Sequence, residues 1–184
     1  PEGSSGLTLA DVAYAASCGR KIKLLGRAIR EPDGRICAYV APHLVDEESP
    51  LAGVEDVFNG IVVKGDAIGD VMFYGRGAGK LPTASAVVAD VMDAARHIQS
   101  RKRMEWGPGG DDVTVSPDHL VFRWYVRAEG EPETVRSSLP HAELLTALGA
   151  AEGEVAFLTP EMTRAQAETA AKGLKVRSLF RVLE

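Results

Sequence analysis

Gly75-Arg76-Gly77-Ala78-Gly79 sets three glycines within five residues, between an apolar run that reads as a strand and a long stretch that reads as a helix. A bend of this kind can take positive φ and lets a ligand approach the backbone without meeting a Cβ. Amides at the start of the following helix, with the positive end of its dipole, suit an anion. Two well-known phosphate motifs fail here. A P-loop needs Gly where Tyr74 stands and Ser or Thr where Leu81 stands. A dinucleotide fingerprint needs Gly in place of Lys80, at the opening of a βαβ unit. The competing reading is a tight turn that only joins strand to helix.

Other reactive residues are scattered. His43, His97, His119 and His141 form no His-Glu-x-x-His pair, and none sits beside a cysteine at metal-ligand spacing. No serine lies in a Gly-x-Ser-x-Gly elbow. Asp90 and Asp93 are spaced to pair with Arg96 and His97 on a helix surface. Lys21 and Lys23 read as one solvated side of a strand, and Cys18 and Cys37 make no disulfide framework. Arg101-Lys102-Arg103 is a short basic run in a chain of net charge −5, which argues against nucleic acid. These residues supply no catalytic constellation and no metal site. At 45% hydrophobic and 26% charged, the 184 residues fit one ordinary domain or two small ones and exclude a disordered tail or a coiled coil. No apolar run is long enough to span a membrane, and no basic-then-apolar leader opens the sequence, so the expected compartment is the cytoplasm.

The elements that must position the bend follow from local signals. Thr8 and Asp11 predict an N-terminus, Leu7 can staple onto Val12, and Gly19 predicts the stop of a helix over Leu9–Cys18. Glu31-Pro32-Asp33-Gly34 predicts a turn between strands over residues 21–30 and 35–40, with a loop from Pro42. A second hairpin is predicted from Gly60–Lys64 and Asp70–Tyr74, sharing one antiparallel sheet with the first. Ala84, Val87, Val88, Val91, Ala94, Ala95 and Ile98 keep a helical period over residues 82–99 and predict a core-facing side. Residues 101–117 read as a linker. Beyond them the order β-α-β-β-α-β over 118–184, with Thr163 and Gln166 capping the second helix, predicts a small ferredoxin-like module with both helices on one face. The expected class is thus α+β: an antiparallel or mixed sheet with helices on one face, then the βαββαβ module.

The run from Asp66 to Asp90, Asp66-Ala67-Ile68-Gly69-Asp70-Val71-Met72-Phe73-Tyr74-Gly75-Arg76-Gly77-Ala78-Gly79-Lys80-Leu81-Pro82-Thr83 and onward, resembles the end of the catalytic region of homoserine dehydrogenases. Leu9-Ala10-Asp11-Val12-Ala13-Tyr14-Ala15, Lys21-Ile22-Lys23-Leu24-Leu25-Gly26, Pro42-His43-Leu44-Val45, Pro50-Leu51-Ala52-Gly53-Val54 and Phe58-Asn59-Gly60 precede it in the family's order. Residues 118–184 resemble, more loosely, the ACT module of many bacterial members. The resemblance implies domains at 1–100 (end of the catalytic and dimerisation domain), 101–117 (linker) and 118–184 (ACT-like). It implies NAD(P)-dependent interconversion of L-homoserine and L-aspartate 4-semialdehyde, in threonine and methionine synthesis, by a cytoplasmic homodimer.

By the same resemblance Gly75, Gly77, Gly79 and Thr83 line one side of the NAD(P) site. The family's nucleotide fingerprint and catalytic lysine have no counterpart here, so no residue inherits a catalytic role. Processing or truncation before Pro1 is expected, and the chain alone is expected to be inactive and to hold NAD(P) only weakly. The ACT pattern Asp-x-Pro-Gly-Val-Leu becomes Glu129-Gly130-Glu131-Pro132-Glu133-Thr134-Val135, and Glu133 in the glycine position both crowds the turn and repels a carboxylate. The alternative is a non-enzymatic ACT-like protein for amino-acid sensing or oligomerisation.

Overall fold

Helix α1 (Leu9–Ser17) starts where the cap residues predict: the Thr8 amide and hydroxyl both donate to Asp11 Oδ2, at 2.8 and 3.0 Å. Gly19, at φ +68°, turns the chain out of the helix. Leu7 packs against the core around Tyr14 and Tyr125, and Val12 is exposed. This computed structural model describes residues 6–100, 107 and 109–183, so the basic run 101–103 and Trp106 lie outside the described residues.

Strands β1 (Arg20–Arg30) and β2 (Ile36–Asp46) form the predicted hairpin, paired from Arg20↔Asp46 to Arg30↔Ile36 around Gly34 at φ +88°. β2 runs on through Pro42, where a loop was expected. Pro42 is tolerated because β2 has only β1 beside it over residues 38–42, so the missing N–H costs no second ladder. β3 (Phe58–Gly65) and β4 (Gly69–Arg76) make a second hairpin, followed by α2 (Lys80–Arg96). After β5 (Thr114–Val115) come β6 (Trp124–Glu129), α3 (Pro132–Ser138), β7 (Glu143–Leu145), β8 (Glu154–Leu158), α4 (Arg164–Ala170) and β9 (Lys175–Leu183).

Contacts divide the chain into two compact units: the residues up to Ala52 with those from Asp111 onward, and Gly53–Gly110 between them. The boundaries expected at 100 and 118 cut the chain differently. In the first unit the strand order is β1-β2-β9-β6-β8-β7, with β5 also beside β2. β2 and β9 run parallel through His43↔Arg181, Leu44↔Val182 and Val45↔Leu183, so the first hairpin continues the sheet of the C-terminal segment. The second hairpin is a separate two-stranded sheet in the other unit, which corrects the expectation of one four-stranded sheet. The end of the expected linker is also structured, since β5 pairs with Ile36 and Cys37.

Both faces of the large sheet are covered. Tyr125, Ala156, Leu158, Phe180 and Val182 pack with Tyr14 and Ala15 of α1. Trp124, Val126, Ala128, Val155 and Phe157 point the other way and pack with Val135 of α3 and Ala167 and Ala171 of α4. The alternation along β6 and β8 is the period-two rule at work. The two helices of the C-terminal segment, α3 and α4, share one face as expected, while α1 adds a layer on the opposite face of the sheet, which had not been expected. Each fully buried large apolar side chain here is worth about 1.5–3 kcal/mol.

Helix α2 corrects a further expectation. Its apolar residues keep the helical period, yet it contains no buried residue, and Leu81, Val87, Val88, Val91 and Met92 are all exposed. The periodicity is sound, but the described residues supply nothing to cover it.

Candidate functional site

The glycine bend is built by the second hairpin. Its register pairs Phe58 with Arg76, Asn59 with Gly75 and Gly60 with Tyr74. Phe58 and Tyr74 stack with centroids 4.9 Å apart, and the Arg76 guanidinium lies over the Phe58 ring at 5.0 Å. Gly75 is thus still strand, and a Cβ there would meet open space. Gly77 donates its N–H to Val57 O at 3.0 Å, carrying the ladder one step past Arg76. A Cβ on Gly77 would lie 1.8 Å from Asn59 Nδ2, so glycine is required for the Asn59 side chain to lie across the bend. Gly79, at φ +122°, is the N-cap of α2.

Having no side chain, Gly79 leaves the helix without a side-chain cap, and Pro82 in the first turn has no N–H to offer. Thr83 donates its N–H to Gly79 O at 3.1 Å and is exposed. The whole bend, from Phe73 to Leu81, is exposed. It presents uncapped amides at the start of a seventeen-residue helix, flanked by Arg76 and Lys80. That surface can receive an anionic group. One of the amides in question, that of Gly77, is already taken by Val57.

None of the histidines lies in the glycine bend. His43 is buried, its Nδ1 at 2.9 Å from Ala41 O and its Nε2 at 3.3 Å from the Tyr39 hydroxyl. His97 pairs with Asp93 at 3.0 Å, as the spacing predicts, and His119 pairs with Glu31 at 3.0 Å. His141 is exposed. Among the described residues no group of three or more His, Cys, Asp or Glu is placed to hold a metal ion, and no helix is long and apolar enough to cross a membrane.

The turn 129–133 is closed by its own neighbours. Gly130, at φ +153°, donates its N–H to Gly153 O at 2.9 Å, and a Cβ there would come within 2.6 Å of Leu174 Cδ2. Glu129 is paired with Lys175 at 3.1 Å and with Arg177, and Glu133 with Arg136. An open hollow of about 420 Å³ lies between α4 and β9, lined by Arg164, Glu168, Arg177 and Ser178 and by no residue of that turn.

Sequence reasoning missed the most polar part of the core. Arg127 on β6 meets Asp11 Oδ1 through Nε at 2.7 Å and Asp11 Oδ2 through Nη2 at 3.1 Å, and Glu154 Oε2 through Nη1 at 2.6 Å. Its Nη2 also donates to Thr8 Oγ1 and Ser178 Oγ, and Tyr125 donates to Asp11 Oδ1 at 3.0 Å. Burial alone would push the Asp11 carboxyl up; the bonds from Arg127, Thr8 and Ser178 outweigh it and hold it below 3.8. Burial, then the Asp11 charge, pushes the Tyr125 hydroxyl far above its usual range, and burial with the Glu154 charge raises Tyr14. The available signal was an arginine at a core-facing position of Trp124-Tyr125-Val126-Arg127-Ala128.

The family model for homoserine dehydrogenase matches residues 1–92, which include the bend and the first turns of α2. The homoserine dehydrogenase of Neisseria gonorrhoeae is 46% identical over 139 residues, covering 72% of this chain and 32% of that protein. That of Bacillus subtilis is 37% identical over 134 residues, covering 72% and 31%. The crystal structure of the Thiobacillus denitrificans enzyme superposes with a TM-score of 0.77 at 29% identity, over 99% of this chain and 47% of that one. An S. aureus homoserine dehydrogenase structure gives 0.73 at 33% identity, over 99% and 46%. The chain thus spans about a third of the length of these curated relatives and about half of the solved chains. Half of the sequence matched by one family model, and an architecture matched almost end to end, carry one conclusion: the chain belongs to the homoserine dehydrogenase family.

Proposed function

We propose that the chain serves as the C-terminal portion of an NAD(P)-dependent homoserine dehydrogenase, interconverting L-homoserine and L-aspartate 4-semialdehyde in the cytoplasm, for threonine and methionine biosynthesis. The observation that carries this reading is the exposed glycine bend inside the segment matched by the family model. Gly75, Gly77 and Gly79 border the cofactor, with Thr83 one turn into α2. The bend fits a dinucleotide on structural grounds: open space at Gly75, a helix start with no side-chain cap, and Arg76 and Lys80 beside it. When bound, the nicotinamide would give the hydride in the reducing direction and accept it in the oxidising one. This chain's residues wall one side of its site.

The exposed apolar side of α2 supports a location against further protein in the intact enzyme, and the exposed Ile61, Val63 and Phe73 of the second hairpin support a homodimer. The C-terminal segment is read as ACT-like: its strand order β9-β6-β8-β7, with α3 and α4 on one face, is that of a ferredoxin-like module. Glu133, paired with Arg136 where the ACT pattern has glycine, favours a structural role over threonine sensing.

Turnover tests the reading. The chain alone is expected to leave NADPH unoxidised with L-aspartate 4-semialdehyde and to give no saturable NADPH heat at millimolar concentration. A chimera with residues 6–99 exchanged into the Neisseria gonorrhoeae enzyme is expected to turn over. A folded but inactive chimera, or saturation by the isolated chain, overturns it.

A further inference from the structure

We infer that α1 is a latch on the C-terminal sheet, bolted by the buried cluster of Asp11, Arg127 and Glu154, whose release bares the sheet face of Tyr125, Ala156 and Phe180 and frees the polypeptide that enters β1.

The helix cannot hold itself. At nine residues α1 is too short to persist without tertiary contacts. Only Tyr14 and Ala15 of its apolar residues are fully buried, while Leu9 and Val12 are exposed. Its remaining buried side chain is Asp11, a carboxylate with no exposure at all. The polar bonds between α1 with its cap and the sheet gather on Asp11, which takes Arg127 and Tyr125 of β6 and Ser178 of β9, with Tyr14 facing Glu154 of β8. The Arg127 guanidinium, bidentate on Asp11, supplies the charged part of that fastening.

Arg127 answers two carboxylates, those of Asp11 and Glu154. Removing one member of such a cluster strands a charge in the interior, which costs far more than the pair contributes. The other face of the sheet is independent of the helix. Trp124, Val126 and Phe157 are held by α3 and α4, so β6 and β8 keep a core when α1 leaves. The helix runs through Gly19 directly into β1, so the C-terminal sheet controls the anchoring of the segment around α1. Under the proposed function that segment leads into the catalytic domain; exchange at α1 is readable whether or not that function holds.

Hydrogen exchange on the full 184-residue chain tests the latch. In Arg127→Met the amides of α1 are expected to exchange at least about 100-fold faster, while those of β6 and β8 stay within about 3-fold of the unsubstituted chain. Unchanged exchange in α1 overturns the inference, and so does acceleration of α1, β6 and β8 by a common factor. Should Arg127→Met not fold, Ser178→Ala takes away the bond to Nη2 and the Ser178 bond to Asp11 while leaving the Arg127–Asp11 pair in place. It is expected to accelerate α1 alone by about 5-fold, with the same two outcomes overturning the inference.

Discussion

At Gly77 the side chain that matters belongs to another residue. Asn59 lies where a Cβ on Gly77 would stand, 1.8 Å from its Nδ2 and 2.3 Å from its Cγ. Gly77→Ala must swing Asn59 away, and we expect a loss of about 1–3 kcal/mol, measured by urea denaturation. Because the clash is with one side chain, adding Asn59→Ala should restore most of it; if the double variant is as unstable as the single, backbone strain is the cause instead. Asp11 is a second residue whose behaviour follows from its partners. Arg127 and Tyr125 face it from β6, Ser178 from β9 and Thr8 from its own cap, with Glu154 of β8 beyond Arg127. Its folded pKa lies below the ordinary 3.8, so its stabilisation is complete above that value and is lost as pH falls through the lowered folded one. Urea midpoints should be insensitive to this group between neutrality and pH ~5 and fall steeply further down. Asp11→Asn should lower the neutral midpoint and flatten the acid limb; an acid limb left intact in that variant removes Asp11 as its cause.

Elements differ in how far local sequence determines them. The hairpin turns are written in Glu31-Pro32-Asp33-Gly34 and around Gly65-Asp66, where Gly34 and Gly69 take positive φ and Pro32 fixes it, because these are properties of single residues. Both capping boxes were legible for the same reason: Thr8 with Asp11 and Thr163 with Gln166 act within one turn. The glycine bend was legible as strand, bend and helix, yet the Gly77–Val57 bond and the place of Asn59 depend on register and were not. Partners distant in sequence were not legible either. Nothing in residues 43–45 announces that β9, more than a hundred residues later, will pair with them. The same limit explains α2, whose period truly marks an apolar side but cannot say which polypeptide covers it. Since α2 buries nothing in this chain, Val87→Glu with Val91→Lys should change the urea midpoint by no more than about 0.5 kcal/mol of stability. A larger loss would mean that this side of α2 is packed in solution, as it is expected to be in a dimer or an intact enzyme.

For the molecule as a whole, the decisive feature is that the sheet does not respect the sequence boundary between the family-matched segment and the C-terminal module. α1 comes from residues 9–17, yet it packs on Tyr125, Ala156, Leu158 and Phe180 and lends Asp11 to Arg127. β9 in turn borders β2 as well as β6. Cutting the chain before residue 118 would bare the apolar face under α1, expose the β9 edge along residues 181–183, and leave Arg127 to Glu154 and Ser178 alone. Full burial of a large apolar side chain is worth about 1.5–3 kcal/mol, so the bared face weakens the segment, while the core under α3 and α4 still holds β6 and β8. We therefore expect residues 118–184, expressed alone, to bind a hydrophobic dye, to unfold at a lower urea midpoint than the full chain, and to regain stability when residues 6–52 are supplied as a second chain. A separate module that unfolds cooperatively at the midpoint of the full chain would show that the sheet tolerates the loss of α1 and β2, and that the boundary at 118 is a true domain border after all.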